Sequence, residues 1–238
     1  MMMPNPDSIK SMAMFSFATP NPRRGTLTRF HDGSICRERT SRVRRKVPES
    51  VASEGRAWIV DPGADAEYIA EALARRSLSP AAILLTHGHF DHIGAVTALQ
   101  AKFPSLPVYV HPEDARVLTH PLNQNPPDYP PIPMPANIRD ARALADGGLP
   151  FAIEVVETPG HTPGGVCYHI PDDKLLLSGD TLFAGSVGRT DLPGGDMPIL
   201  MASLSKLVAL PEDTRVVPGH GPETTIASER KYNPFLQR

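Results

Sequence analysis

Thr86-His87-Gly88-His89-Phe90-Asp91-His92 is the stretch on which the reading of this chain turns. It leaves directly from the apolar run at 81–86 (AAILLT), which reads as a buried strand because nothing in it is polar until its last residue. In an extended segment side chains two apart point the same way. His87 and His89 can therefore converge on one ion, while Asp91 and His92, opening the next helix, face a second. Gly88 lets the backbone turn without a Cβ in the way.

Working outward, three further donors stand where an apolar strand ends and a glycine turn begins: Pro159-Gly160-His161, Gly179-Asp180-Thr181 and Pro218-Gly219-His220. Side chains carried on strand-end loops above a rigid sheet are what a preorganised metal site needs. Five imidazoles and two carboxylates suit zinc better than calcium or magnesium, which prefer oxygen shells; iron and manganese are the alternatives. Two such ions about 3.5–4 Å apart lower the pKa of a shared water from 15.7 toward about 7 and polarise the carbonyl it attacks. His31, His111, His120 and His169 have no such context and read as incidental polar residues.

The rest of the chain from Arg56 alternates strand and helix patterns. Ala57-Trp58-Ile59-Val60 is an apolar strand that ends at the turn Asp61-Pro62-Gly63. Residues 66–76 (AEYIAEALARR) place Tyr68, Ile69, Ala72 and Leu73 on one helical face, and 92–101 repeats that period through Ile93, Val96 and Leu99. Strands are predicted at 107–110, 151–157, 166–170, 174–178 and 215–217, with helices from Pro112 and over 197–209. Residues 119–138 carry seven prolines, which exclude a helix interior or a central strand and point to a structured excursion or lid.

Composition narrows the class. A chain of 238 residues with 40% hydrophobic side chains can bury one substantial core. The net charge of -2 is unevenly spread: residues 1–46 hold ten Lys/Arg and three Asp/Glu, so the body is acidic. An acidic body argues against nucleic acid as the ligand. No apolar run approaches the roughly 18 residues of a membrane span, so no membrane partner is expected. The two cysteines, Cys36 and Cys167, make no disulfide framework, and a soluble, cytoplasmic chain is the expectation.

THGHFDH together with TPGHTPGG (158–165), SGDTLF (178–183) and VPGHGPET (217–224) resembles the metallo-β-lactamase superfamily, and within it the type II glyoxalase-like thioester hydrolases. The resemblance covers residues 57–238 and extends to the run GDTLFAGSVGRTDLPGGD (179–196) and the ending ERKYNPFL (229–236) of a short bacterial subgroup. It implies an α/β fold, the four-layer αβ/βα sandwich, with the site at one edge between two sheets. It also implies that His87, His89 and His161 hold one divalent metal, that Asp91, His92 and His220 hold the other, and that Asp180 bridges them. The activity implied is hydrolysis of a small-molecule thioester such as an S-acyl glutathione, by attack of a metal-bridging hydroxide that Asp91 can orient. Arg189, in Gly188-Arg189-Thr190-Asp191, is either half of a loop-stabilising pair with Asp191 or a receptor for a substrate carboxylate. Glu229, Arg230 and Asn233 read as a packing and loop-anchoring cluster. Two other functions compete: a mononuclear iron persulfide dioxygenase using His87, His161 and Asp180, and a catalytically impaired metal-binding protein.

The N-terminus departs from that family. Met14 to Pro22 looks like a first strand and its exit, but Arg23 to Ser53 contains RR, RER and RVRRK and no alternation able to fill an interior sheet position. Residues 1–54 are therefore expected to be an atypical basic segment, poorly ordered apart from a strand near 14–19, and 55–238 to be the hydrolase domain. A natural basic insertion, an Arg-rich targeting sequence and an out-of-frame stretch are the competing explanations.

Overall fold

The computed structural model describes residues 14–19, 26–31, 55–121, 132–144 and 151–237. Its first sheet starts from the apolar strand predicted at the first Asp-Pro-Gly turn. This strand, β3 (Arg56–Val60), runs parallel to β4 (Ser79–Leu84), β5 (Val108–Val110) and β6 (Ile138–Asp140). On its other side β3 pairs antiparallel with β1 (Met14–Thr19), and β1 with β2 (Thr26–His31), completing six strands in the order β2-β1-β3-β4-β5-β6. The second sheet orders its five strands β13-β12-β9-β8-β7, from β7 (Glu154–Glu157), β8 (Val166–Ile170), β9 (Leu175–Gly179), β12 (Arg215–Pro218) and β13 (Thr224–Thr225). A short ribbon, β10 (Leu182–Phe183) with β11 (Ser186–Val187), stands beside it.

Three buried clusters define four layers. Ala57 and Ile59 face the helices α1 (Ala66–Arg75) and α3 (Val96–Lys102) through Ile69, Leu73, Val96 and Leu99. Their strand neighbours Trp58 and Val60 point the other way, against Tyr168, Ile170, Leu175 and Leu177 of the second sheet. The outer face of that sheet, through Cys167, Leu176 and Val216, takes Leu200, Leu204 and Leu207 of α5 (Met197–Leu207) and Ile226 of α6 (Ile226–Tyr232). Side chains of one strand alternate between faces, so a strand apolar at every position is one covered on both sides. The order helix, sheet, sheet, helix is the αβ/βα sandwich.

Several local expectations change. The helix predicted over 92–101 is divided into α2 (Phe90–Ile93) and α3, because the Ala95 N–H donates to the Pro62 carbonyl at 2.9 Å instead of continuing the helical ladder. The Asp-Pro-Gly turn wedges into this break. A Cβ on Gly63 would lie 1.7 Å from the Asp91 carbonyl oxygen, and one on Gly94 2.2 Å from that of Gly63. Tyr68 is 40% exposed rather than packed, with Arg75 stacked 5.7 Å from its ring. The strands β6, β10, β11 and β13 and the helix α6 are too short or too polar to announce themselves in the sequence.

Strand β2 lies within the stretch where the sequence pattern shows no strand. That reading assumed an interior position; β2 is the edge of the first sheet, where a charged residue such as Arg29 is ordinary. The reading of residues 32–53 as poorly ordered lies outside the described residues, as does most of the proline-rich excursion. Among the described residues no helix is long and apolar enough to cross a membrane.

Candidate metal centre

Strand β4 of the first sheet delivers His87 and His89, α2 carries Asp91 and His92, and three loops at strand ends of the second sheet bring His161, Asp180 and His220. All seven meet at one edge of the sandwich. The donor atoms of His87, His89 and His161 lie within 4.8 Å of one another, and so do those of Asp91, His92 and His220. His89 Nδ1 is 3.0 Å from His161 Nε2, and His220 Nε2 is 3.1 Å from Asp91 Oδ2. Asp180 sits between the two sets: Oδ1 is 3.4 Å from His92 Nε2, while Oδ2 is 3.6 Å from His220 Nε2 and 3.7 Å from His161 Nε2.

The chemistry of these donors fits a cation. His87 Nε2, His92 Nε2 and Asp180 Oδ1 are buried and have no hydrogen-bond partner. A buried polar atom left unpaired costs about 1–3 kcal/mol, and three of them pointing into one space are explained by a ligand that takes lone pairs. The other ring nitrogens are occupied. His161 Nδ1 donates to the Arg189 carbonyl at 2.7 Å, which leaves the lone pair on its Nε2, the atom 3.0 Å from His89 Nδ1. His92 Nδ1 donates to Asp61 Oδ2 at 3.0 Å. His87 Nδ1 is 3.1 Å from Thr86 Oγ1, which itself donates to Asp61 Oδ2 at 2.6 Å, and Thr86 N donates to Asp61 Oδ1 at 2.7 Å. Asp61 thus orients two histidines, one directly and one through Thr86. It holds this place with a left-handed backbone, φ 47°, a conformation that costs a non-glycine residue energy and clusters at functional sites.

Electrostatics separates the two sets. Burial, reinforced by the neighbouring imidazoles, holds His87 well below the ordinary histidine range and brings His89 down to about 4, so both stay neutral and able to donate lone pairs. Burial disfavours charge on His92 too, but Asp180 and Asp61 outweigh it and raise its pKa. The hydrogen bond to Asp91 raises His220. Burial alone would raise Asp91 and Asp180; the surrounding histidines reverse this and hold both carboxyls low.

Five of the donors, His89, Asp91, His161, Asp180 and His220, line a cleft of about 580 Å³ whose walls include Phe90, Phe183, Val187, Leu192 and Arg189, while His87 and His92 are buried. Arg189 lies at this wall with its Nε and Nη2 each 2.7 Å from an Asp191 carboxylate oxygen, both side chains exposed. Glu229 and Asn233 anchor the ribbon that supplies Phe183: Glu229 Oε2 accepts from Gly185 N at 2.9 Å, and Asn233 Nδ2 donates to the Ser186 carbonyl at 3.0 Å. Arg230 points elsewhere, pairing with Glu212 at 3.2 Å. His111 caps α4 (Pro112–Ala115) and His169 Nδ1 lies 2.7 Å from Glu154, both outside the cluster. Sequence reasoning overlooked Asp61, Thr86 and Asp114. The first two had a weak signal, since each ends a strand that opens onto the site; Asp114 had none.

Known proteins resemble this arrangement. Residues 51–220 match the family model of the metallo-beta-lactamase superfamily. The probable metallo-hydrolase YqgX of Bacillus subtilis is 42% identical over 188 residues, covering 77% of this chain and 89% of that protein. The hydroxyacylglutathione hydrolase GloC of Haemophilus influenzae is 35% identical over 188 residues, covering 77% of this chain and 88% of that protein. Among solved structures, TTHA1623 in a di-iron-bound form is 44% identical and superposes with a TM-score of 0.67 over 76% of this chain and 89% of that one.

Proposed function

The chain belongs to the metallo-beta-lactamase superfamily and is by its relatives a metallo-hydrolase, and we propose that it hydrolyses small thioesters of the S-acyl glutathione kind with a pair of divalent cations. His87, His89 and His161 would hold one cation, Asp91, His92 and His220 the other, with Asp180 between them. Bound there, the two ions would lower the pKa of a water toward about 7 and polarise the thioester carbonyl. The observation that carries this reading is the convergence of His89, Asp91, His161, Asp180 and His220 on one open cleft, with the unpartnered His87 Nε2 and His92 Nε2 buried among the same donor groups.

The chain's own groups account for the remaining tasks. Asp91 stays ionised and lines the cleft, so it can accept a hydrogen bond from the attacking water and orient it toward the carbonyl. Phe90, Phe183, Val187 and Leu192 give the cleft apolar walls that receive an acyl group and exclude bulk water. A thiolate leaves readily near neutral pH without a dedicated general acid, and no acid donor is needed beside it. Arg189 keeps part of its guanidinium free of Asp191 and stands at the wall, suited to a substrate carboxylate. The relative GloC is a hydroxyacylglutathione hydrolase, the same class of chemistry.

The test is purification with metal quantification, followed by assays on S-lactoylglutathione, a neutral thioester, a β-lactam and a persulfide under oxygen. About two metal ions per chain with turnover of the glutathione thioester support the proposal. One iron per chain with oxygen consumption would move the assignment to a dioxygenase, and bound metal without turnover of any thioester would refute the substrate class.

A further inference from the structure

Asp114 belongs to none of the motifs read from the sequence and takes no part in the reaction just described, yet its side chain is fully buried. It sits on α4, behind the three-histidine set. Its two carboxylate oxygens serve two different loops: Oδ2 accepts the Gly88 N–H at 2.8 Å, and Oδ1 accepts the Gly164 N–H at 2.6 Å. Gly88 lies between His87 and His89, and Gly164 follows His161 by three residues. One loop leaves the first sheet and the other leads into β8 of the second, so a single carboxylate ties together loops from the two halves of the sandwich.

Both glycines are fitted to this tie. A Cβ on Gly88 would lie 2.9 Å from the Asp114 carbonyl oxygen, and one on Gly164 would lie 2.6 Å from Asp114 N and 2.8 Å from its Oδ1. An ionised carboxylate accepts at both oxygens, whereas an amide accepts at one and donates at the other. A tie of this kind answers a physical need. His89 Nδ1 and His161 Nε2 stand 3.0 Å apart, where a proton on His89 Nδ1 can bridge them; a bound cation would need the lone pair of both, so the two loops would then have to be held together from behind.

We propose that Asp114 is a positioning residue of the metal centre, holding the loop of His87 and His89 and the loop of His161 at the separation that a divalent cation needs. The inference rests on these histidines being metal ligands and is independent of the thioester substrate. Partners that orient ligands from outside the coordination sphere are worth about 10–100-fold in metal affinity or activity.

Metal-depleted wild type, Asp114→Asn, Asp114→Ala and Leu204→Ala would be titrated with Zn2+ against a chromophoric chelator, and with Co2+ to follow the visible spectrum. Leu204 is buried against the far sheet face and reports what general destabilisation does. The Asn and Ala variants should lose about 10–100-fold in affinity for one of two ions, with a changed cobalt spectrum, while Leu204→Ala keeps both affinities. Wild-type affinity and spectrum in both Asp114 variants would overturn the inference alone, as would an equal loss in Leu204→Ala. A wild type that takes up no cation would overturn the reading of the site and this inference with it. Should neither variant fold, amide exchange of the unmodified metal-loaded protein decides: the Gly88 and Gly164 amides should be protected, and exchange at open-loop rates would overturn the tie.

Discussion

Asp61→Asn changes one atom of a buried side chain and should cost the protein both stability and metal. Asp61 Oδ2 accepts two bonds, from Thr86 Oγ1 at 2.6 Å and from His92 Nδ1 at 3.0 Å, while Oδ1 accepts the Thr86 N–H at 2.7 Å. Asparagine can keep its oxygen on the backbone N–H, which places an NH2 donor against the hydroxyl and the imidazole. Hydrogen bonds to a charged group contribute about 1.5–3 kcal/mol each and neutral ones about 0.5–1.5. All three bonds go from charged to neutral, a loss of about 1–1.5 kcal/mol each and about 3–4.5 kcal/mol together. The replacement itself does damage, because His92 must carry its proton on Nε2 and leave Nδ1 bare to accept from the amide, and Nε2 is the atom that faces Asp180. Urea denaturation of the metal-depleted protein and chelator competition on the loaded one would read the two effects separately. The expected result is a stability loss of about 3–4.5 kcal/mol with a fall in metal affinity of about 10–100-fold. A variant within about 0.5 kcal/mol of wild type, the scatter of neutral surface changes, and with unaltered metal content would refute the hydrogen-bond assignment.

Three further outcomes are expected. Gly219→Ala would place a methyl 2.1 Å from Asp180 Oδ1 and 2.8 Å from His92 Cε1, so metal analysis should show loss of bound ion even where circular dichroism shows the fold retained. Arg189→Ala should raise KM for an acidic thioester more than it lowers kcat, the mark of lost uniform binding; equal effects on acidic and neutral thioesters would remove Arg189 from substrate recognition. In a Cys36→Ser background the Cys167 thiol, fully buried and pushed up to about 11 by that burial, should resist a disulfide reagent at pH 8 until the protein unfolds; labelling within seconds in the native state would contradict its place under α5.

The sequence alone determined the candidate donors, and its resemblance to a known family implied the layers. Seven candidate metal-ligating side chains stand in short motifs at or just beyond strand ends, and local chemistry makes them legible: a histidine beside a glycine after an apolar run has few structural reasons to be there. The continuous apolar runs at 57–60 and 81–86 likewise declare burial, which is why β3 and β4 were readable as buried strands. Tertiary structure decided what supports them. Asp61 reaches His92 across 31 residues, and Asp114 reaches Gly88 and Gly164 across 26 and 50. No local pattern encodes such pairings, because an aspartate in a turn or a four-residue helix has ordinary local reasons to be present. The edge position of β2 was equally hidden, since whether a charged strand is tolerable depends on what lies beside it in the sheet. The division of α2 from α3 was settled by the Pro62 carbonyl docking against Ala95. Helical periodicity continues across that break, and only the neighbouring turn, brought there by the sheet, competes for the backbone N–H.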